Sequence, residues 1–410
     1  MTEFYYALRS LKEGHWFKLI CGASFQHLPA VRNLTLAYTL AGADCIDVAA
    51  DPAVIAAAQD AIAVASDFRF EARQRGFSDR QQPPYLMVSL NDGEDPHFRK
   101  AQFDRTQCPT DCHRPCERIC PAGAIVFQRP GDGFSGVVSE SCYGCGRCLP
   151  LCPSQLIYTR AYVSTPGAIA PLVLSTGVDA VEIHTQVGRL AEFKRLWQAI
   201  APWVEQLKLV AISCPDGEGL IDYLGSLYQS ISPLPCPLIW QTDGRPMSGD
   251  IGDGTTLAAV KLGQKVLSAN LPGYVQLAGG TNSYTVAKLQ AMGLLNDFRW
   301  QILDFGLQEQ SNNPKSKTRP QDVSAAGRSP VPWRQNPKSY IAGVAYGSYA
   351  RVLLSQILNQ LEQVEVNDAN SSLVTSIRLE EQPELLWQAV ELAYSLVSQL
   401  KSLQQPSKAL

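Results

Sequence analysis

Four cysteines near the middle of the chain have the spacing of an iron–sulfur ligand set. The segment SCYGCGRCLPLCP places Cys142, Cys145, Cys148 and Cys152 in the pattern C-x₂-C-x₂-C-x₃-C-P. Bacterial loops with this short spacing wrap [4Fe–4S] clusters. Gly144 and Gly146 permit tight turns between the ligands, and Pro153 turns the chain away after the fourth one. The pattern indicates iron–sulfur ligation, with structural zinc as the alternative.

A second set of four cysteines comes before the first and is spaced more widely. The segment CPTDCHRPCERICP places Cys108, Cys112, Cys116 and Cys120 in the pattern C-x₃-C-x₃-C-x₃-C-P. Its end matches the pattern above, but its two leading spacings are each one residue longer. We predict a second [4Fe–4S] cluster at this set, with a three-iron cluster or an unusual ligand as the alternative.

Cysteine is concentrated in this one region. Eight of the 12 cysteines lie between residues 108 and 152. In a reducing cytoplasm such clustering indicates metal or redox chemistry rather than disulfides. The other four, which lie on or beside predicted strands, are expected to be buried structural thiols: Cys21, Cys45, Cys214 and Cys236.

The two cysteine sets together resemble a two-cluster bacterial ferredoxin domain. In that family the fourth cysteine of each half ligates the cluster of the other half. The resemblance therefore implies one cluster on Cys108, Cys112, Cys116 and Cys152. It implies a second cluster on Cys142, Cys145, Cys148 and Cys120. Three nearby basic residues either favour the reduced clusters or are solvated surface residues: Arg114, Arg118 and Arg147.

Outside the cysteine segment, apolar runs alternate with helical patterns along the chain. Eight runs read as strands, at about 16–21, 44–49, 85–90, 179–184, 207–213, 237–241, 273–278 and 340–345. Continuous apolar runs are typical of parallel strands that are buried on both faces. The count predicts an α/β fold, a TIM-like (β/α)₈ barrel, with an open doubly wound sheet as the alternative. No GxGxxG motif opens a helix after a strand, so nothing supports a dinucleotide-binding sheet.

The cysteine segment interrupts this barrel. We expect residues 1–94 and 161–310 to form its first and second parts, and 95–160 to form a ferredoxin-like α+β insert. The segment 311–338 is rich in Ser, Asn, Pro and basic residues and predicts a flexible linker, with a basic binding arm as the alternative. Residues 339–410 would supply the last barrel unit and a C-terminal helix. That helix has apolar residues at helical spacing and would pack on the barrel or bind a partner: Leu385, Ala389, Leu392, Leu396 and Leu400.

Several polar residues fall at the carboxyl ends of the predicted barrel strands, where barrel active sites lie. They are Lys18, Asp47, Glu182, His184, Asp216 and Asp243. Gly279 and Gly280 follow the seventh strand, and Gly343 and Gly347 flank the eighth, where barrels commonly bind phosphate. These residues form either a phosphate or flavin site, or a buried hydrogen-bonded cluster with glycines that serve turns. We designate no catalytic residue.

Charge and hydropathy exclude other classes of protein. The formal net charge of −3 excludes a strongly basic nucleic-acid binder. There is no run of 18 apolar residues to span a membrane, and the start MTEFYYALRS has no secretory pattern. We therefore expect a cytoplasmic protein without nucleic-acid or membrane partners.

Two segments on either side of the insert carry a wider resemblance. LKEGHWFKLICGASFQHLPAVRNLTLAYTLAGADCIDVAADPAVI and VQLAGGTNSYTVAKL resemble the cyanobacterial light-dependent period (LdpA) family. The resemblance implies an iron–sulfur, redox-sensing regulatory protein on the light and redox input of the circadian clock. Its implied partners are Kai-system clock proteins and their input kinases, with electron donors as further partners. The alternative is an oxidoreductase whose ferredoxin-like insert serves a flavin or phosphate-bearing ligand in the barrel.

Overall fold

The structure is a computed structural model. It describes residues 6–22, 27–78, 80, 82–93, 99–120, 122–139, 141–142, 148–161, 165–244, 255–296, 340–368 and 378–401. The predicted linker 311–338 lies outside the described residues. Within them, no helix is long and apolar enough to cross a membrane.

Strands and helices alternate along most of the described chain. In order, the strands are β1 (Trp16–Ile20), β2 (Cys45–Ala49), β3 (Tyr85–Asn91), β4 (Arg99–Gln102), β5 (Ile125–Val126), β6 (Gly136–Val137), β7 (Tyr158–Ala161), β8 (Ala180–His184), β9 (Leu209–Pro215), β10 (Leu238–Asp243), β11 (Tyr274–Ala278) and β12 (Gly343–Tyr346). The helices are α1 (Tyr6–Glu13), α2 (Leu28–Ala41), α3 (Pro52–Gln74), α4 (Pro115–Ile119), α5 (Pro166–Leu174), α6 (Leu190–Ile200), α7 (Leu220–Ile231), α8 (Thr255–Ser268), α9 (Thr285–Ala291), α10 (Ser348–Asp368) and α11 (Pro383–Lys401).

Eight of these strands close into the predicted barrel. Their order around the barrel is β1, β2, β3, β8, β9, β10, β11 and β12, and all neighbours are parallel. The pairing of Trp16 with Gly343 and of Lys18 with Ala345 joins the first strand to the last. Each predicted strand agrees with an observed one to within three residues. The (β/α)₈ prediction is therefore confirmed, and the open-sheet alternative is wrong.

The lower part of the barrel interior, at the amino ends of the strands, is apolar. Trp16, Leu209 and Tyr274, each the first residue of its strand, are buried there with Met87 and Ile239. Helix α1 closes this end by adding three side chains to the same cluster, Ala7, Leu8 and Leu11. The strand–helix alternation did not predict this helix, because it precedes the first repeat.

The C-terminal helix α11 packs on the barrel helices α2 and α10. Of the predicted apolar stripe, Ala389, Leu396 and Leu400 are buried, whereas Leu385 and Leu392 are only partly buried. The fully buried face also includes Leu386, Trp387, Val390, Ala393 and Val397. The buried face is wider than the predicted stripe because the helix lies in a groove between two neighbours rather than on one.

The insert leaves the barrel after β3 and returns before α5, at the carboxyl end of the barrel strands. Its first and last strands, β4 and β7, pair antiparallel with Arg99 opposite Ala161. The short strands β5 and β6 form a second antiparallel pair, and α4 lies between β4 and β5. Both strand pairs join one cysteine-containing half of the insert to the other.

Candidate functional site

The last cysteine of each half of the insert accepts the same kind of backbone hydrogen bond. The Ala124 N–H donates to Cys120 Sγ at 3.2 Å, and the Leu156 N–H donates to Cys152 Sγ at 3.3 Å. In both halves the donor lies four residues after the cysteine. Amide hydrogen bonds to sulfur stabilise thiolate ligands and tune the potential of iron–sulfur clusters. The repeated contact gives the two cysteines equivalent roles.

The backbone after each of these cysteines repeats as well. The N–H groups of Gly123 and Gln155 donate to the carbonyl oxygens of Cys120 and Cys152, both at 3.0 Å. Gly123 has φ of 56° and Gln155 has φ of 52°. A positive φ is easy for glycine but uncommon for glutamine. The turn is therefore imposed by the loop and not by the residue type, which is why the sequence did not reveal this second repeat.

Further amides point at cysteines in the leading part of each half. The Ala101 N–H in β4 donates to Cys142 Sγ, and the Arg114 N–H donates to Cys112 Sγ, both at 3.4 Å. Four cysteines of the insert thus accept a backbone hydrogen bond at sulfur. These donors are placed to hold thiolates, which is the form that ligates iron.

Cys152 of the second half lies among the cysteines of the first half. Burial raises the pKa of Cys108, and interactions with Cys112 and Cys152 raise it further. Burial also raises the pKa of Cys116 to about 11, with Cys152 and Cys108 adding to the effect. Each of these thiols therefore lies within electrostatic reach of Cys152. The ferredoxin resemblance pairs the same four residues.

The second predicted set is only partly described. Cys145 and Arg147 lie outside the described residues, whereas Cys142 and Cys148 are buried in the insert. These two thiols share a small apolar core with Cys116, Ile125 and Ile157. Within the described residues, no group of three or more His, Cys, Asp or Glu side chains is arranged to hold a metal ion. The fit of the insert to iron–sulfur clusters rests on its thiols and on the amides that donate to them.

The basic residues of the insert differ in their surroundings. The Arg114 guanidinium lies 4.3 Å from the centre of the Phe127 ring, and its positive charge lowers the pKa of Cys108 against the larger effect of burial. Arg118 is exposed. Arg114 is therefore placed to stabilise negative charge at the first cysteine set, whereas Arg118 is a surface residue.

The four cysteines outside the insert are buried thiols. Burial raises the pKa of Cys21, Cys214 and Cys236 to about 12, and it also raises the pKa of Cys45. A thiol with such a pKa is protonated at neutral pH and is a poor nucleophile or metal ligand. They serve as packing residues of the barrel.

The structure separates the polar residues predicted at the barrel mouth into two groups. Lys18, Asp47 and Glu182 meet inside the barrel, with Lys18 Nζ 2.9 Å from Asp47 Oδ2 and hydrogen-bonded to Glu182 Oε2. His184 lies beside them, with Nε2 3.4 Å from Glu182 Oε1. Asp216 is instead on the surface, paired with Lys265 at 2.6 Å.

Two glutamines belong to the inner group and were missed from the sequence. Gln241 and Gln276 lie opposite each other on β10 and β11, and both are buried. Their signal was a polar residue within an apolar strand, in LIWQTD and YVQLA. Of the predicted glycines, Gly343 is needed for close packing, since a Cβ there would lie 2.4 Å from the Trp16 carbonyl oxygen.

Comparison with known proteins identifies the family. The model of the light dependent period A C-terminal domain matches residues 172–399, and the model of the LdpA Fe–S cluster-binding domain matches residues 108–163. The protein light dependent period A of Synechococcus elongatus is 46% identical over 396 residues, which cover 97% of this chain and 94% of that protein. Protein NrfC of Escherichia coli is 31% identical over 80 residues, 20% of this chain and 35% of that protein. The chain therefore belongs to the light dependent period A (LdpA) family, and its insert contains the Fe–S cluster-binding domain of that family.

Proposed function

We propose that this protein is a redox sensor of the light-dependent circadian period pathway, with two [4Fe–4S] clusters in its insert. The observation that carries the proposal is the contact between insert and barrel at β4. One residue of this strand donates to a cysteine of the insert, and the residue before it reaches the barrel. The relationship to light dependent period A supports the pathway.

The ligand sets follow the ferredoxin pattern. One cluster would be held by Cys108, Cys112, Cys116 and Cys152, and the other by Cys142, Cys145, Cys148 and Cys120. The position of Cys152 beside Cys108 and Cys116 supports the first set. The equivalent hydrogen bonds at Cys120 and Cys152 support an equivalent, crossed role for Cys120.

A bound [4Fe–4S] cluster exchanges one electron at a time and so changes the charge of the insert. The protein supplies the surroundings of that charge. The buried thiols must lose their protons to become ligands, so cluster assembly releases protons. The amides at four sulfurs and the Arg114 guanidinium then stabilise the negative charge.

Lys100 joins the insert to the barrel. Its Nζ lies 3.8 Å from Asp51 Oδ2 in the barrel and donates to the Ser139 carbonyl oxygen in the insert. Asp51 is buried and caps α3 by accepting the Ala53 N–H at 2.8 Å. The next residue, Ala101, donates to Cys142 Sγ. The Lys100 ammonium therefore bridges a barrel carboxylate and the segment of the insert that precedes Cys142.

The position of Lys100 gives a route by which an electron added to the insert affects the Asp51 carboxylate of the barrel. Added negative charge at Cys142 attracts the Lys100 ammonium and competes with Asp51 for it. Burial raises the pKa of Asp51 and the Lys100 ammonium lowers it, so a weaker pairing destabilises the carboxylate that caps α3. Allosteric couplings are typically about 1–3 kcal/mol, which corresponds to an affinity change of about 5–150-fold.

The partners that would respond are Kai-system clock proteins and their input kinases, with electron donors supplying the reducing equivalents. The test is binding of each purified clock protein to the anaerobic, cluster-loaded protein at an oxidising and a reducing potential. We expect affinities that differ at least about fivefold between the two potentials. Equal affinities for oxidised, reduced and cluster-free protein would refute the sensor.

Two variants distinguish transmission from cluster binding. Lys100→Gln should keep its iron content but lose most of the dependence of partner binding on potential. Arg129→Gln is the matched control, since it also removes one positive charge from the insert, and Arg129 forms a local ion pair with Asp132. If both variants keep the full dependence on potential, Lys100 is not the route. Release of a stoichiometric flavin from the denatured protein would instead support the oxidoreductase.

A further inference from the structure

The upper part of the barrel interior is occupied by polar side chains. Lys18, Asp47, Glu182, Gln241 and Gln276 come from five different strands, and each is at most 2% exposed. Barrels that are filled only for stability use mainly branched aliphatic side chains in these layers. The carboxyl end of the barrel is also where barrel enzymes bind their ligands. This cluster, here called the mouth cluster, has no role in the iron–sulfur insert or in the proposed sensor.

The members of the mouth cluster are joined by hydrogen bonds. The Lys18 ammonium lies 2.9 Å from Asp47 Oδ2, donates to Gln241 Oε1 at 3.0 Å and also donates to Glu182 Oε2. Gln241 Nε2 donates to Glu182 Oε1 at 2.5 Å, and Gln276 Nε2 donates to Gln241 Oε1 at 2.7 Å. The network fixes the five side chains in one arrangement, which is the preorganisation that a binding site needs.

The mouth cluster carries more negative than positive charge. Two carboxylates, Asp47 and Glu182, share the single Lys18 ammonium. Burial lowers the pKa of His184, so that side chain is neutral at pH 7 and supplies no second cation. Asp243, at the end of β10, adds another carboxylate within 3.4 Å of Gln241 Nε2. Buried charge without a counter-charge is costly, and either an additional cation or a proton on one carboxylate relieves that cost.

Two buried acceptors of the mouth cluster have no hydrogen-bond donor among the described residues, and only one of them, Gln276 Oε1, also lacks an ion-pair partner there. Gln276 is fully buried, and its Oε1 has no hydrogen-bond partner among the described residues. Its other amide atom, Nε2, contacts Gln241 in the centre of the cluster, so the amide group lies within the network. An unsatisfied buried acceptor of this kind costs about 1–3 kcal/mol. A ligand that fits must therefore bring an N–H or O–H donor as well as positive charge.

We propose that the mouth cluster binds a small primary ammonium ion, which donates to Gln276 Oε1 and balances the excess carboxylate charge. Access is from the carboxyl end of the barrel, where the His184 side chain is 27% exposed. A phosphate would add negative charge to a cluster that already has an excess. The proposal does not depend on the sensor function.

The test uses the full-length, cluster-loaded protein, purified anaerobically. Methylammonium and putrescine are titrated at constant ionic strength, and binding is followed by calorimetry and by the midpoint of thermal unfolding. Tetramethylammonium is the matched ligand control, because it has the same charge as methylammonium but no N–H donor. We expect saturable heat and a rising midpoint with at least one primary amine, and neither effect with tetramethylammonium.

Variants locate the site. Gln276→Leu and Glu182→Gln should each weaken amine binding about tenfold or more, the scale of a lost hydrogen bond to a charged group. Asp216→Asn is the matched protein control, since it removes an exposed carboxylate that follows barrel strand β9 and should leave binding unchanged. The proposal is wrong if neither primary amine binds wild type, if tetramethylammonium binds equally, or if phosphate or Mn²⁺ binds instead.

Discussion

A buried ion pair joins the C-terminal helix to the base of the barrel. Its contribution to the free energy of unfolding can be predicted. Lys401 Nζ donates to Asp44 Oδ2 at 2.5 Å, to Ser10 Oγ at 2.6 Å and to the His15 carbonyl oxygen at 2.9 Å. Asp44 is fully buried. The substitution Lys401→Met keeps the length of the side chain but removes the charge and all three donated bonds.

The expected loss of unfolding free energy follows from what remains around Asp44. Leaving a buried charge without its partner costs about 3–5 kcal/mol, and deleting a hydrogen bond to a charged group costs about 1.5–3 kcal/mol. Arg80 Nη1 remains 3.2 Å from Asp44 Oδ1, and the Phe17 N–H remains 2.7 Å from Oδ2. The Ser10 hydroxyl also donates to Oδ2 at 3.0 Å. The carboxylate therefore keeps a cation and two donors, so we expect a loss of about 2–3 kcal/mol.

A second Lys–Asp pair with the same N–O distance is the control. Lys208 Nζ lies 2.5 Å from Asp179 Oδ1, but the Lys208 side chain is 56% exposed. Exposed pairs contribute about 0.2–1 kcal/mol, so Lys208→Met should cost less than about 1 kcal/mol. The assay is urea unfolding followed by far-ultraviolet circular dichroism, with both variants compared with wild type. Equal losses for the two variants, or no loss for Lys401→Met, would refute the argument that burial sets the strength of the pair.

Three further predictions concern the clusters, pH and packing. Wild type should contain about eight iron atoms per chain. Cys152→Ala should lose the same cluster's spin-resonance signal as Cys108→Ala, and Cys120→Ala should lose the signal of the other cluster. Identical losses for Cys120→Ala and Cys108→Ala would contradict crossed ligation. Burial and a nearby ammonium lower the pKa of His15, so the unfolded chain takes up a proton that the folded chain resists. Stability should fall as pH drops below about 6.5, and His15→Gln should flatten that slope in urea unfolding across pH. Gly343→Ala places a Cβ 2.4 Å from the Trp16 carbonyl oxygen in β1. It should lower the free energy of unfolding by about 1–3 kcal/mol in the same assay. An unchanged unfolding midpoint would show that β1 and β12 move apart at little cost.

Much of the fold could be predicted from local patterns. Strands buried on both faces require mainly apolar runs, and runs such as YLMVSL and LKLVAIS therefore indicated the positions of barrel strands. The cysteine spacing is also local, because three of the predicted ligands of one cluster lie within a short stretch of the sequence. Helix α1 and the wide buried face of α11 were harder to predict from the sequence, since both depend on which neighbouring elements cover them.

The predicted iron–sulfur site also combines features that are local in the sequence with features that depend on the fold. The cysteine spacing alone predicted the ligands and their division into two halves. The electrostatic interaction of Cys152 with Cys108 instead requires the folded insert, whose first and last strands, β4 and β7, pair antiparallel. The contact of Lys100 with Asp51 likewise joins the insert to a barrel loop that the cysteine motif does not include.

The mouth cluster was decided by the tertiary structure alone. The sequence showed isolated polar residues in apolar strands, and either a ligand site or a buried network was consistent with them. Lys18 and Glu182 are 164 positions apart, and Lys18 and Gln241 are 223 apart. Closure of the barrel turns alternate residues of every strand toward one axis. Only that closure brings these charges together and leaves the Gln276 oxygen without a donor in the part of the chain that the structure describes. No local pattern records which residues will face each other across the barrel.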